Sequence, residues 1–206
     1  MATPTPGKPV TRGKRSGAQR AATSDARGRI LEVAKGLFAA KGYAGVSMRE
    51  IAAASQLTLP TLYHHFGDKR GLFLACRGAV LGDAAAQVRA ALEGREARDR
   101  AVSATVALCS LLFSNPTLLV FVQFELHHRA HRLRPDSGRW EVLPDLTAAI
   151  KEAYPGARSL AGLSAAESLV AMIVGHALVH RAQSPRAPAV DAAQFAHHAL
   201  EMMTAR

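Results

Sequence analysis

Cysteine is nearly missing from this chain. Of its 206 residues only Cys76 and Cys109 carry a thiol, both within apolar, helix-like text. That excludes a disulfide framework and favours a reducing compartment. Aromatic residues are scarce, at 5%, and β-branched runs are short. Strand signals are therefore wanting, and Ala and Leu dominate, so an all-α chain is predicted. Long apolar runs are lacking too: the longest, Leu118–Phe124, falls far short of the ~18–20 residues a membrane span needs. No basic-then-apolar leader opens the sequence, and prolines at positions 4, 6 and 9 make residues 1–24 a poor amphipathic transit helix. These absences leave a soluble, cytoplasmic protein with no membrane partner. The length suits one or two domains and a core that needs no covalent staples.

Acidic residues are the other shortage. There are 16 Asp+Glu against 26 Lys+Arg, a formal net charge of +10. Residues 1–24 carry +5 of this, residues 25–70 carry +3, and the other 136 residues only +2. A polyanion-binding end joined to a nearly neutral body accounts for that asymmetry; a solvated basic tail accounts for it equally well.

No fixed-period repeat is present. Residues 1–23, made of Pro, Gly, Thr, Ser and basic residues, read as a disordered tail. Nine helices are predicted after it, over 24–41, 48–54, 58–66, 69–93, 97–114, 116–132, 139–153, 164–182 and 189–204. Ser24 is the expected cap of the first, whose buried stripe is Ile30, Ala34, Leu37 and Phe38, and Gly42 ends it. Ser47 and Glu50 form the S-x-x-E spacing of a capping box. Thr58 caps the third helix, which tolerates Pro60 in its first turn, and Asp68 caps the fourth. Asn115-Pro116 marks a sharp break.

Two short helices separated by a tight turn and braced by a third form a helix-turn-helix, whose second helix enters the major groove of DNA. The residue types suit the task. Thr58, Thr61, Tyr63, His64 and His65 can hydrogen-bond to phosphates or bases, and Leu59 and Pro60 offer apolar contact to thymine methyls. Lys69, just beyond, can pair with a phosphate. Leu62 and Phe66 are core residues on the same spacing.

The stretch from Ile51-Ala52 through Thr58 and Pro60–Phe66 to Lys69 resembles the DNA-binding domain of TetR-type (TetR/AcrR) transcriptional regulators. Leu37-Phe38, Lys41-Gly42 and Ser47-x-x-Glu50 fit the same pattern. The resemblance covers about residues 25–75 and implies three segments: a basic tail (1–23), a helix-turn-helix domain (24–75) and an effector-binding and dimerisation domain (76–206). It also implies DNA contacts at Ser47, Met48 and Arg49, with Arg49 as the guanine reader through bidentate bonds to O6 and N7. Leu59, Pro60 and Thr61 fall on the leading face of the recognition helix, and Tyr63, His64 and Lys69 at phosphate-contacting positions. One departure is Gln56, where the family often has glycine. A left-handed conformation there would cost about 1 kcal/mol. The basic tail would follow the minor groove or the backbone, or serve solubility alone.

The resemblance makes the last two long helices a dimerisation bundle. Leu169, Ile173, His176, His180, Phe195 and Met202 are the candidates, although an intramolecular core gives the same periodicity. Candidates for an effector pocket are Cys109, Phe113, Phe121, Phe124, His128, Trp140, Leu143 and Met172, an apolar and aromatic set with a few polar groups. His127/His131 and His176/His180 are each spaced i, i+4, as metal ligands can be. No ligand spacing ties the two pairs together, so neither a metal nor any other cofactor is expected.

The expectation is a homodimeric regulator, not an enzyme, bound to a palindromic operator in double-stranded DNA and released by an unidentified small effector. No nucleophile–base motif, H-E-x-x-H or phosphate-binding glycine loop is present. The rivals are a ligand-independent regulator or nucleoid-type protein, and a metal-dependent helical module carrying a DNA-binding domain.

Overall fold

The computed structural model describes the backbone of residues 17–94, 96–130, 140–160, 162–183 and 191–204. It describes side chains within these from Asp25 onward, apart from 125–130 and 180–183. All regular structure among the described residues is helical: α1 (Gly17–Lys41), α2 (Met48–Ser55), α3 (Leu59–Phe66), α4 (Lys69–Ala91), α5 (Ala97–Ser114), α6 (Pro116–Ala130), α7 (Val142–Ala153), α8 (Ala165–Gln183) and α9 (Ala192–Thr204).

The punctuation read from the sequence sets most of these limits. Asp68 Oδ1 accepts from Gly71 N at 2.6 Å, opening α4. At the α5–α6 break Asn115 Oδ1 accepts from Leu118 N at 3.0 Å, and the chain turns through 104°. The start of α1 differs from expectation. It begins at Gly17, so Ser24 lies inside the helix and not at its start, and residues 17–23 are helical rather than tail. Ala18, Gln19, Arg20, Ala21 and Ala22 are strong helix formers, and their propensity outweighs the local preference of Thr23 and Ser24 for a cap.

The capping box also forms elsewhere than expected. Ser47 Oγ accepts from Glu50 N at 3.1 Å, but the Glu50 carboxylate meets Lys41 Nζ at the end of α1. The reciprocal box is at α8, where Ser164 N donates to Glu167 Oε2 at 2.8 Å and Glu167 N donates to Ser164 Oγ at 3.3 Å.

Helices α1 to α3 enclose Ile30, Ala34, Phe38, Val46, Ile51 and Leu62, all buried. In the C-terminal part α5 runs through the middle and touches α4, α6, α7, α8 and α9. The two parts meet at an aromatic joint. Phe73 of α4 packs edge-on to Phe38 of α1 at 5.1 Å between centroids. It also lies 5.0 Å from Tyr43, 5.0 Å from Phe121 and 4.4 Å from Phe124 of α6. Cys76, one turn on, sits with Sγ 3.8 Å from the Leu31 carbonyl of α1. Cys109 is buried in α5, and both thiols are free.

Candidate nucleic-acid interface

The turn between α2 and α3 follows from Gln56. Its φ of 56° and ψ of 38° are left-handed. Leu57 N reaches back to the Ala52 carbonyl at 3.0 Å and Gln56 N to the Ala53 carbonyl at 3.2 Å, which closes α2 in a Schellman-type end. The conformation expected of a glycine is thus held by glutamine. Thr58 then caps α3: its Oγ1 accepts from Thr61 N at 3.4 Å and lies 2.8 Å from Thr61 Oγ1. At the far end Gly71 is obligatory, since a Cβ there would lie 2.1 Å from the Phe66 carbonyl oxygen.

With Leu62 buried beneath it, α3 turns an outer face of Thr58, Pro60, Tyr63 and His64 to solvent. Ser47 and Arg49, from the start of α2, are exposed as well. These residues form one surface of hydroxyls, a guanidinium, an imidazole and a phenol. The exposed aromatic is Tyr63, at 46%. Leu59, expected to be the exposed apolar contact, leans on the core and is half-buried. Met48, expected at the DNA, is buried at 8% exposure in the core with Ile51. Thr61 is half-buried beside Thr58.

Two cations line the edges of this surface. Arg27 stands 5.3 Å over the Phe66 ring, and Lys69 Nζ 4.5 Å over the Tyr43 ring. His65 is half-buried; burial, followed by the nearby His64 and Arg27, holds its imidazole below the usual range.

The pocket expectations fare differently. Phe121 and Phe124 belong to the aromatic joint, where α6 packs on Phe73 of α4 and on Tyr43 in the α1–α2 turn. Cys109 is wholly buried core. Trp140 is buried and donates Nε1–H to the Leu81 carbonyl at 3.1 Å. Leu143 and Met172 are half-buried against the core. Phe113 lies tilted against His176 and edge-on to Phe195, at centroid distances of 5.8 and 5.4 Å. His128 lies outside the described side chains. Two clefts open elsewhere. One, of about 340 Å³, lies between α1, α4 and the α5–α6 break, beside Lys35, Asp83, Gln87 and Thr117. The other, of about 510 Å³, lies between α1 and the end of α2. Neither is lined by the residues expected.

Of the dimer candidates, Leu169 and Ile173 are wholly buried within one chain. His176 and Phe195 pack ring against ring, tilted by 40° with centroids 4.5 Å apart. Met202 is exposed at 49%, and the sequence reading missed two exposed apolar residues of α8, Leu178 and Val179, at 43% and 56%. The signal was available: they lie on α8 out of phase with Ile173 and Ala177. His127, His131 and His180 fall outside the described side chains. Among the described residues no group of three or more His, Cys, Asp or Glu could hold a metal. Nor is any single described helix long and apolar enough to cross a membrane.

Comparison with known proteins agrees with this geometry. Residues 30–76 match the family of bacterial regulatory proteins described as the tetR family. The chain is 42% identical over 52 residues to the HTH-type transcriptional repressor AcnR of Corynebacterium glutamicum, covering 25% of this chain and 28% of that protein. The chain thus aligns with little more than a quarter of that relative's length. With the HTH-type transcriptional regulator UidR of Escherichia coli K12 it shares 29% identity, over 60% of this chain and 72% of that protein. Among solved structures, a TetR family transcription regulator from Marinobacter aquaeolei superposes with a TM-score of 0.69 at 20% identity, covering 92% of this chain and all of that one (100%). AibR, solved in complex with isovaleryl coenzyme A and operator DNA, gives 0.64 at 23% identity, covering 87% and 98%.

Proposed function

We propose that this member of the tetR family of bacterial regulatory proteins is a homodimeric repressor, which binds a palindromic operator and leaves it when a small apolar or amphipathic effector binds the C-terminal domain. The observation that carries this reading is the outer face of α3. It is capped by Thr58, seated on Leu62 and flanked by Arg49, and it offers polar and aromatic side chains to solvent rather than to the fold.

In this reading two copies of α3 enter successive major grooves about 34–36 Å apart. Arg49 reads a guanine; Pro60 and Thr61 face base edges; Ser47, Tyr63 and His64 hold phosphates. The excess of cationic charge in the first third of the chain speeds encounter and adds affinity that salt removes. In this reading the second copy covers the exposed apolar side chains of the last two helices, Leu178 and Val179 of α8 and Met202 of α9. AibR, a protein of the same fold that has been captured with both an acyl thioester and DNA, supports ligand control. To release DNA efficiently, an effector must favour the DNA-free form about a hundred-fold or more.

The experiment is binding of the full chain to a duplex selected from a randomised pool, with a scrambled duplex as control. Arg49→Ala should relax preference at one base pair by about 1–3 kcal/mol. Tyr63→Ala should weaken binding to every sequence alike. A monomer that coats all duplexes with equal affinity would overturn the reading in favour of a nucleoid-type protein.

A further inference from the structure

Two histidines lie in the last turn of α3, and a basic residue of α1 meets that turn from outside. His64 is exposed and His65 half-buried, with ring centroids 5.6 Å apart and planes at 66°. His65 also lies 6.0 Å from the Phe66 ring, over which the Arg27 guanidinium stands at 5.3 Å. Arg27 and His65 thus share one aromatic neighbour.

These surroundings keep His65 neutral at pH 7. Burial is the largest cause, and the two charged groups that act on it, His64 and then Arg27, both disfavour a further positive charge. The carboxylates adjacent in sequence are engaged elsewhere. Asp25 meets Arg29 at 3.6 Å on α1, and Asp68 Oδ1 accepts from Gly71 N at 2.6 Å. The first turn of α4 otherwise brings cations, Lys69 over the Tyr43 ring and the exposed Arg70. A neutral imidazole among cations responds to an anion: a negative charge beside it offsets the repulsion and favours the protonated ring.

We propose that DNA binding takes up a proton from solvent at His65: a backbone phosphate drawn to the Arg27 edge of α3 converts the neutral imidazole to an imidazolium. The inference rests on the DNA-binding reading above, to which it adds Arg27 and His65 as a charge-coupled phosphate site. By linkage, a duplex that favours the protonated ring is itself favoured by protonation, to the same factor. Affinity therefore rises as pH falls through neutrality, and levels off once His65 is already charged in the free protein.

The test uses the full chain and a duplex selected by the unmodified protein, with affinity measured from about pH 5.5 to 8.5 at fixed salt. Binding should be about 3- to 10-fold tighter at pH 6 than at pH 7.5. Calorimetry in buffers of different ionisation heat should show uptake of up to about one proton per protomer. His65→Gln should flatten the profile and abolish the uptake, whereas His64→Gln should retain most of both. Arg27→Met removes a cation from the free protein, so it should reduce the uptake as well as lower the salt slope by about 0.9. Imidazole resonances of the unmodified chain give a readout that needs no variant. The His65 ring should titrate below its ordinary value of 6.5 in the free protein and above it with the duplex. A duplex bound with no proton uptake, or uptake that survives His65→Gln and disappears in His64→Gln, would overturn the coupling and leave the DNA-binding reading standing. If no duplex is selected at any pH, that reading falls and the coupling falls with it.

Discussion

Trp140 and Leu81 are 59 residues apart in sequence and joined by one hydrogen bond, the indole Nε1–H donating to the Leu81 carbonyl at 3.1 Å. Trp140 precedes α7 and Leu81 is in the middle of α4, so the bond ties the start of α7 to the helix that links the two parts of the molecule. Trp140→Phe removes the donor and part of the ring volume, and should cost about 2–3 kcal/mol in denaturant unfolding. As Trp140 is the chain's only tryptophan, its emission should be blue-shifted in the native protein and move to the red on unfolding. A loss below about 0.5 kcal/mol, the level of an ordinary surface change, would show that the bond anchors nothing.

The α2–α3 turn gives a substitution expected to improve the protein. Gln56 holds a left-handed conformation, whose cost for a side-chain-bearing residue is about 1 kcal/mol. Gln56→Gly should raise Tm, and Gln56→Val should lower it. Gly71→Ala should do the reverse of Gln56→Gly, because its new Cβ meets a backbone oxygen that cannot withdraw. Equal melting of Gln56→Gly and the unmodified chain would mean that the turn carries no strain.

Local signals in the sequence read well, and long-range ones did not. Thr58, Asp68 and Asn115 each close a hydrogen bond within three residues, so their partners are visible in the text itself. Ser24 misled because a capping residue is also tolerated inside a helix when good helix formers precede it. Helical spacing puts Phe121 and Phe124 on a buried side, which fits a pocket or a joint alike, and does not say what they are buried against. Their partners, Tyr43 and Phe73, lie far away in the chain. Lys69 is recognisable by position, yet its contact with the Tyr43 ring depends on the path of the α1–α2 turn, which no local pattern encodes.

The exposed apolar side chains of α8 and α9 give a test of the proposed dimer. Val179→Glu places a charge where two copies would meet, and should convert a dimer to a monomer in sedimentation velocity. Affinity for a palindromic duplex should fall with it, since each half-site alone is weak. A dimer that survives both Val179→Glu and Met202→Glu would place the interface elsewhere.

Glu50 predicts a small acid sensitivity. Its hydrogen bond from Lys41, helped by the lysine's charge and the Ser47 contact, outweighs desolvation and holds the carboxyl below its ordinary value of 4.5. A depressed folded-state value stabilises fully above the unfolded pKa, and the contribution is lost as pH falls through the folded one. Lys41→Met should therefore lower Tm at neutral pH and flatten its decline below about pH 4.5. Parallel acid profiles for variant and parent would exclude the pair as a source of stability.

The two thiols give the molecule a pair of internal clocks. Cys76 is set into the seam between α1 and α4, and Cys109 in the heart of the larger part. Burial pushes both up to about 12, so an alkylating reagent finds almost no thiolate until the surrounding helices part. The order in which the two are modified then tells which half of the chain opens first.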